Sequence, residues 1–347
     1  MLVSMRTHLI RLSALLLAVF TAAAAANPSP DPALRQAFLD HARSEYGLPA
    51  AEVEAWLAKS AYRPSIVSAM SRPAEKVKPW RDYRPIFISD KRIRDGQAFL
   101  ARHRDALAKV EADTGVPAEM IVAIIGVETS YGGNTGSYPV LDALYTLGFF
   151  YPVSGDPGQV ERETARGRFF RDELAQVMLL AKEENLDLAA LKGSYAGAMG
   201  YGQFMPSSYR AYARDGDGDG RRDLFGSLDD VFASIANYFV AHGWQAGEPV
   251  VALARADEGT EPFKPEGLEA RYSLAELGEK GYRPAEALGH DHKATLVTLE
   301  GTGGTEHWFG FRNFYTITRY NRSPMYAMAV HQLSREIAAG TGAAAAP

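Results

Sequence analysis

The 347-residue sequence contains no cysteine. That excludes disulfide staples, thiolate metal sites, a cysteine nucleophile and acylation through an N-terminal cysteine. A basic excess is lacking too: 37 Lys and Arg stand against 42 Asp and Glu, a formal net charge of -5. The phosphate attraction that dominates nucleic-acid binding has little to act on, so no nucleic-acid partner is expected. No fixed-period repeat is visible. After the first thirty residues, no segment is long and apolar enough to cross a bilayer, which takes about 20 apolar residues. What remains is 46% hydrophobic and 23% charged, the composition of a globular protein. The length suggests about two domains.

The N-terminus has its own texture. Arg6, His8 and Arg11 precede a short apolar stretch from Leu12 to Phe20, followed by alanines up to Ala26. A basic start, a brief apolar segment and small residues before a turn-former mark a secretory signal peptide. Residues 1–26 are therefore expected to be removed, leaving a periplasmic protein that is not a lipoprotein; an uncleaved anchor is the alternative.

Beyond it the pattern is mostly helical. Residues 32–70 carry apolar positions at helical spacing, and 92–113 read as one long amphipathic helix with Ile93, Phe99, Leu100, Leu107 and Val110 on one face. Residues 118–129 are apolar all round, as in a buried helix. Segments 141–151, 169–191, 228–242 and 325–338 also read as helices. Residues 194–206 read as a glycine-rich loop. Between 247 and 304, β-leaning runs at Pro249–Ala254 and Thr295–Leu299 suggest a small insertion with some sheet. The aromatic run Trp308, Phe309, Phe311, Phe314 and Tyr315 reads as core strand. The expected organisation is a helical region at 27–113, a core at 114–246 resuming at 305–338, and a disordered tail at 339–347.

Glu128 is the oddest residue. Counting back by three, four and seven reaches Ile125, Ile124 and Ile121, so its own helix surrounds it with aliphatic side chains. Desolvation there should raise its pKa. A carboxylic acid kept protonated near neutral pH is what a glycosidic general acid needs. The same placement suits a structural glutamate held by hydrogen bonds or an arginine, and on these residues alone both readings stand open.

Longer motifs go further. Gly126-Val127-Glu128-Thr129-Ser130-Tyr131-Gly132, Leu141–Leu147, Tyr195–Tyr209 with its core Gly200-Tyr201-Gly202-Gln203-Phe204, Ile235–Phe239 with His242-Gly243-Trp244, and Ile317-Thr318-Arg319-Tyr320-Asn321 with Tyr326–Val330 follow one another in order. Ser71–Lys76 and Tyr83–Phe87 add an N-terminal match. Together these motifs resemble the lytic murein transglycosylase B family, over about residues 32 to 338.

That resemblance implies an α+β, mostly helical fold: a lysozyme-like catalytic core with a helical N-terminal region and a small β-containing insertion. It implies a peptidoglycan enzyme that cuts the β-1,4 bond between N-acetylmuramic acid and N-acetylglucosamine without water, leaving 1,6-anhydro ends. Glu128 would act as acid, then as base. Ser194 and Gln203 would hydrogen-bond near C1, Tyr238 would lie beside the acid, and Tyr320, Asn321 and Tyr326 would line the sugar cleft. Arg166 would face a substrate carboxylate. Tyr238 and Tyr326 could equally be core aromatics, and Gln203 and Asn321 turn or cap residues. Glycan strands would be the partner, cell-wall synthesis proteins are candidate partners, and a monomer is expected. The alternatives are a hydrolytic muramidase on the same fold, or a non-catalytic glycan-binding protein.

Asp215-Gly216-Asp217-Gly218-Asp219-Gly220 matches positions 1, 3, 5 and 6 of an EF-hand loop, and Arg221 would offer its carbonyl at position 7. Position 12 is Gly226 where a bidentate acid is needed, so Asp229 or Asp230 must close the loop. The family shares this departure. A structural calcium, with no cofactor for catalysis, is the reading; an Asp/Gly turn held by its own Asx bonds is the alternative. His290-Asp291-His292 reads as solvated loop.

Overall fold

The computed structural model describes residues 27–71 and 78–340. The expected signal peptide, residues 72–76 of the Ser71–Lys76 match, and the tail after 340 lie outside the described residues.

The N-terminal region folds as helices α1 (Pro32–Tyr46), α2 (Ala50–Lys59), α3 (Pro64–Met70), α4 (Trp80–Phe87), α5 (Asp90–Arg102) and α6 (Arg104–Thr114). Local chemistry sets several ends. Asp31 accepts from the Leu34 N–H to start α1, and Gly47 ends it in a left-handed conformation. Residues 92–113 are not one helix: the chain breaks at His103, between α5 and α6. The amphipathic pattern is continuous, but the two halves turn apart: both pack on the helix at 118–129, while α5 also packs on the helix at 324–339 and α6 mainly on the helix at 228–241. The His103 ring sits between Phe99 and Phe232, with centroids 4.6 Å and 5.8 Å away, and turns the corner.

Helix α7 (Ala118–Thr129) runs through the middle. Every residue from Met120 to Val127 is buried, and Ile121, Ile124 and Ile125 are fully enclosed. Each such side chain contributes about 1.5–3 kcal/mol by leaving water. Next come β1 (Tyr138–Pro139), α8 (Val140–Phe149) and α9 (Val160–Glu183), the last two packed together. Helix α9 starts earlier than the expected 169–191, and it also ends earlier because Asn185 takes a left-handed φ of 51° just past its end. Asp142 on α8 joins the N-terminal region to the core. Its carboxylate accepts from the Ala61 N–H (2.8 Å) and from Arg63 Nε and Nη2 (2.8 and 2.6 Å).

The loop at 194–206 is tied down by β2 (Lys192–Gly193), which pairs with β1, and by single bridges from Met199 to Gly193 and Phe204. Then follow α10 (Pro206–Tyr212) and α11 (Leu228–Ala241), with the chain turning after α11 at Gly243, whose φ is +89°.

The insertion holds β3 (Val251–Ala256), α12 (Leu274–Glu279), β4 (Tyr282–Pro284) and β5 (Thr295–Gly301), and its sheet is completed by β6 (Gly304–Gly310). The strand order is β4-β3-β6-β5, all antiparallel. The sheet therefore runs past residue 304, because β5 and β6 form one hairpin. It carries its own small core, including Leu277, Tyr282, Leu296, Phe309 and Phe311. The aromatic run is half strand and half helix: Trp308 and Phe309 lie in β6, whereas Phe314 and Tyr315 lie in α13 (Arg312–Tyr320). A last helix, α14 (Pro324–Ala339), packs along α7 and closes the core.

Candidate active site

Glu128 lies in the last turn of α7 and is half-buried, not enclosed as its helix neighbours alone suggest. Its partner comes from α14: the Tyr326 hydroxyl donates to Glu128 Oε1 at 2.6 Å. Tyr326 is only 3% exposed, so it is not an open cleft residue. Burial and the neighbouring Glu128 charge push its hydroxyl well above the ordinary phenol range, which keeps it protonated and donating. Tyr320 is pushed up in the same way, first by burial and then by Glu128.

The tyrosines are pinned by backbone carbonyls. Tyr320 donates to the Gly202 carbonyl (2.8 Å) and Tyr238 to that of Arg319 (2.6 Å). Their rings lie 4.8 Å apart, with Phe204 edge-on to both. The Tyr238 ring also stacks on His242 at 4.1 Å, and burial pushes its hydroxyl up to about 12. So α11 and α13 grip the glycine-rich loop from two sides. On the α7 side, Thr129 Oγ1 lies 3.0 Å from the Tyr201 carbonyl and accepts from the Gly132 N–H.

The other expected residues occupy distinct places. Gln203 sits at a left-handed φ of 50°, and its Nε2 donates to the carbonyls of Thr135 and Gly200, each at 3.1 Å. Ser194 Oγ accepts from the Ala198 N–H within the same loop. Asn321 follows the end of α13, half-buried, and its carbonyl accepts from the Ser323 N–H. Arg166 is exposed on α9, its guanidinium over the rings of Phe169 and Phe170. It shares a cleft of about 990 Å³ with Arg162, Arg322, Tyr238 and Tyr320. Tyr320 thus faces both this cleft and Glu128, whereas Glu128 and Tyr326 do not line the cleft themselves.

In the acidic loop, one carboxylate oxygen each from Asp215, Asp217 and Asp230 lie within 4.8 Å of one another. Asp230 answers the missing acid at position 12. It is 1% exposed in the first turn of α11, and its two oxygens accept from the N–H groups of Gly216 (2.7 Å) and Asp223 (2.6 Å). Asp229 is exposed. Asp219 stands outside the trio and caps the Arg221 N–H at 2.8 Å. Asx bonds are present as well: Asp215 accepts from Gly218 and Gly220, which holds its carboxyl below the usual range. Three hard oxygen donors this close suit a hard cation such as calcium.

Residues 31–335 match the Transglycosylase SLT domain family. The chain is 40% identical over 312 residues to the membrane-bound lytic murein transglycosylase B of Escherichia coli K12, covering 87% of this chain and 82% of that protein. The chain belongs to the lytic murein transglycosylase B family. Among solved structures of lytic transglycosylases, SltB1 of Pseudomonas aeruginosa, a soluble protein, is 48% identical with a TM-score of 0.79, covering 90% of this chain and 100% of that one. Escherichia coli Slt35 in complex with calcium is 39% identical with a TM-score of 0.76, covering 91% and 94%. The lysozyme-like lytic transglycosylase fold follows from these matches.

In this member of the lytic murein transglycosylase B family, two features escape sequence reasoning. One is the direct bond from Tyr326 to Glu128. The other is Arg92, on a separate helix, which grips the end of α7 (Gly126 carbonyl 3.0 Å, Ser130 Oγ 3.1 Å). No local motif signals either; both depend on how distant helices pack.

Proposed function

We propose that this protein cleaves peptidoglycan glycan strands between N-acetylmuramic acid and N-acetylglucosamine without water. The carrying observation is the Glu128 carboxyl at the end of α7, which accepts from the Tyr326 hydroxyl at 2.6 Å. Ordinary glycosidases pair two carboxylates across the scissile bond. A transglycosylase needs one, because the muramic acid 6-hydroxyl supplies the nucleophile at high effective concentration.

Tyr326 holds the Glu128 carboxyl through Oε1, and Glu128 would carry the transferable proton. That proton passes to the glycosidic oxygen as the C1–O bond breaks. The 6-hydroxyl oxygen then bonds to C1 and gives its proton to Glu128, which ends the cycle as an acid again. No water is consumed. Tyr320 separates the acid from the basic cleft, where Arg166 would receive a substrate carboxylate. Ser194, Gln203, Tyr238 and Asn321 would border the sugar near C1.

Asp215, Asp217 and Asp230, with Asp219 and the Arg221 carbonyl alongside, would hold a calcium ion that braces the start of α11, the helix carrying Tyr238. The protein would work in the periplasm as a monomer after removal of residues 1–26, with core segments 114–246 and 305–338 flanked by the helical region and the insertion.

Mass spectrometry of digested sacculi tests the reaction. New ends one water lighter than reducing ends are expected, and none from Glu128→Gln. Exclusively reducing ends would make the protein a hydrolytic muramidase. Unchanged lysis by a folded Glu128→Gln protein would remove Glu128 from the mechanism.

A further inference from the structure

Two consecutive non-glycine residues follow the catalytic helix in left-handed conformation: Ser130 at φ 51° and Tyr131 at φ 61°. Such conformations persist where the surroundings over-determine them. Here the surroundings are α5. Arg92 Nη1 donates to the Gly126 carbonyl at 3.0 Å, and Nη2 donates to Ser130 Oγ at 3.1 Å. The Tyr131 hydroxyl returns a bond to the Arg92 carbonyl at 2.8 Å. Arg92 therefore holds the turn through both its side chain and its backbone.

The helix packing leaves room for this clamp. A Cβ at Gly96 of α5 would meet the Tyr131 hydroxyl at 2.5 Å, and one at Gly126 of α7 would meet it at 2.7 Å. Only glycine at both positions admits the ring between the helices. Phe99 flanks the Tyr131 ring at 5.6 Å. The Ser130 and Tyr131 N–H groups close the helix end onto the carbonyls of Gly126 and Ile125. Gly126 thus accepts from both its own helix and Arg92, and the arginine cation sits at the negative end of the α7 dipole. Glu128 lies between the two anchor points, Gly126 and Ser130.

We infer that Arg92 is a positioning residue: it fixes the last turn of α7 and so aims the Glu128 carboxyl at the glycosidic oxygen. The inference rests on the reading of Glu128 as the acid. It also gives the N-terminal helical region a part in the chemistry, since α5 belongs to it.

The test is steady-state kinetics on soluble, uncross-linked glycan strands, well below each variant's melting midpoint. Arg92→Met should lose at least about tenfold in kcat, as expected when a reacting group is misplaced by a fraction of an ångström to an ångström. KM should stay within about twofold, because the cleft is untouched. Arg92→Lys should recover part of the loss, since an ammonium keeps the charge and reaches one of the two acceptors. Unchanged kcat in Arg92→Met, or a loss wholly matched by a smaller folded fraction, would overturn the inference. If that variant does not fold, Arg92→Lys and Ser130→Ala carry the test, and wild-type kcat in both overturns it. Glu128→Gln run alongside separates the two levels. An inactive Glu128→Gln with a fully active Arg92→Met rejects only the clamp, whereas an active Glu128→Gln rejects the acid itself.

Discussion

His331 on α14 should make the fold acid-sensitive. The residue is half-buried, but its ring Nδ1 is enclosed without a hydrogen-bond partner. Burial first, and the nearby Arg335 charge second, push its pKa down from 6.5 to about 4. The unfolded chain takes up a proton near 6.5, whereas the folded protein resists until about 4. The neutral ring therefore contributes fully above pH 6.5, and its contribution drains away between 6.5 and 4. At about 1.4 kcal/mol per unit, the whole span is worth about 3 kcal/mol. Buried Glu173 and Asp230 work in the opposite sense, since burial raises their carboxyls. The net profile is thus mixed, and only a difference isolates His331. Denaturant midpoints at pH 7 and pH 4.5 for the wild type and His331→Leu make that comparison. The wild type should lose about 2–3 kcal/mol more than the variant over this interval. Parallel losses in the two proteins would refute the reasoning.

The remaining predictions concern the site. Tyr326→Phe removes the 2.6 Å donor to Glu128 and keeps the ring; a hydrogen bond to a charged group is worth about 1.5–3 kcal/mol, so kcat/KM should fall by about ten- to a hundredfold with the melting temperature nearly kept. For the acidic loop, chelator should lower the melting midpoint of the wild type, calcium should restore it, and Asp230→Asn should abolish the response; identical curves with and without chelator would exclude a tightly bound structural ion.

The parts of this molecule that were legible in the sequence are those decided locally. Helix α7 declares itself because it is apolar on all sides, and Glu128 because it is the acid among those isoleucines. The aspartates of the loop stand at alternate positions, so the approach of Asp215 and Asp217 to each other is legible in the spacing, whereas Asp219 stays apart and Asp230 joins them from the next helix. What stays illegible is decided by packing. The break at His103 reflects the different neighbours that α5 and α6 have besides α7, and the apolar pattern is the same whether or not the helix bends. The end of the insertion is hidden for a similar reason: β6 is aromatic and follows glycines, and only its pairing with β5 and β3 makes it a strand of the same sheet. Tyr326 reads equally well as core or as cleft, and it is a core residue whose polar end reaches the acid.

This arrangement explains why the acid can stand at a helix end without being sealed in. A carboxyl enclosed by isoleucines would be protonated but could not meet a polymer. Glu128 is instead held from two sides: the Tyr326 hydroxyl reaches Oε1 from α14, and Arg92 bonds the turn beneath it from α5. Both holders come from helices packed along α7, so both are set by the three-helix contact. Tyr238 and Tyr320, pinned to the carbonyls of Arg319 and Gly202, border the glycine-rich loop.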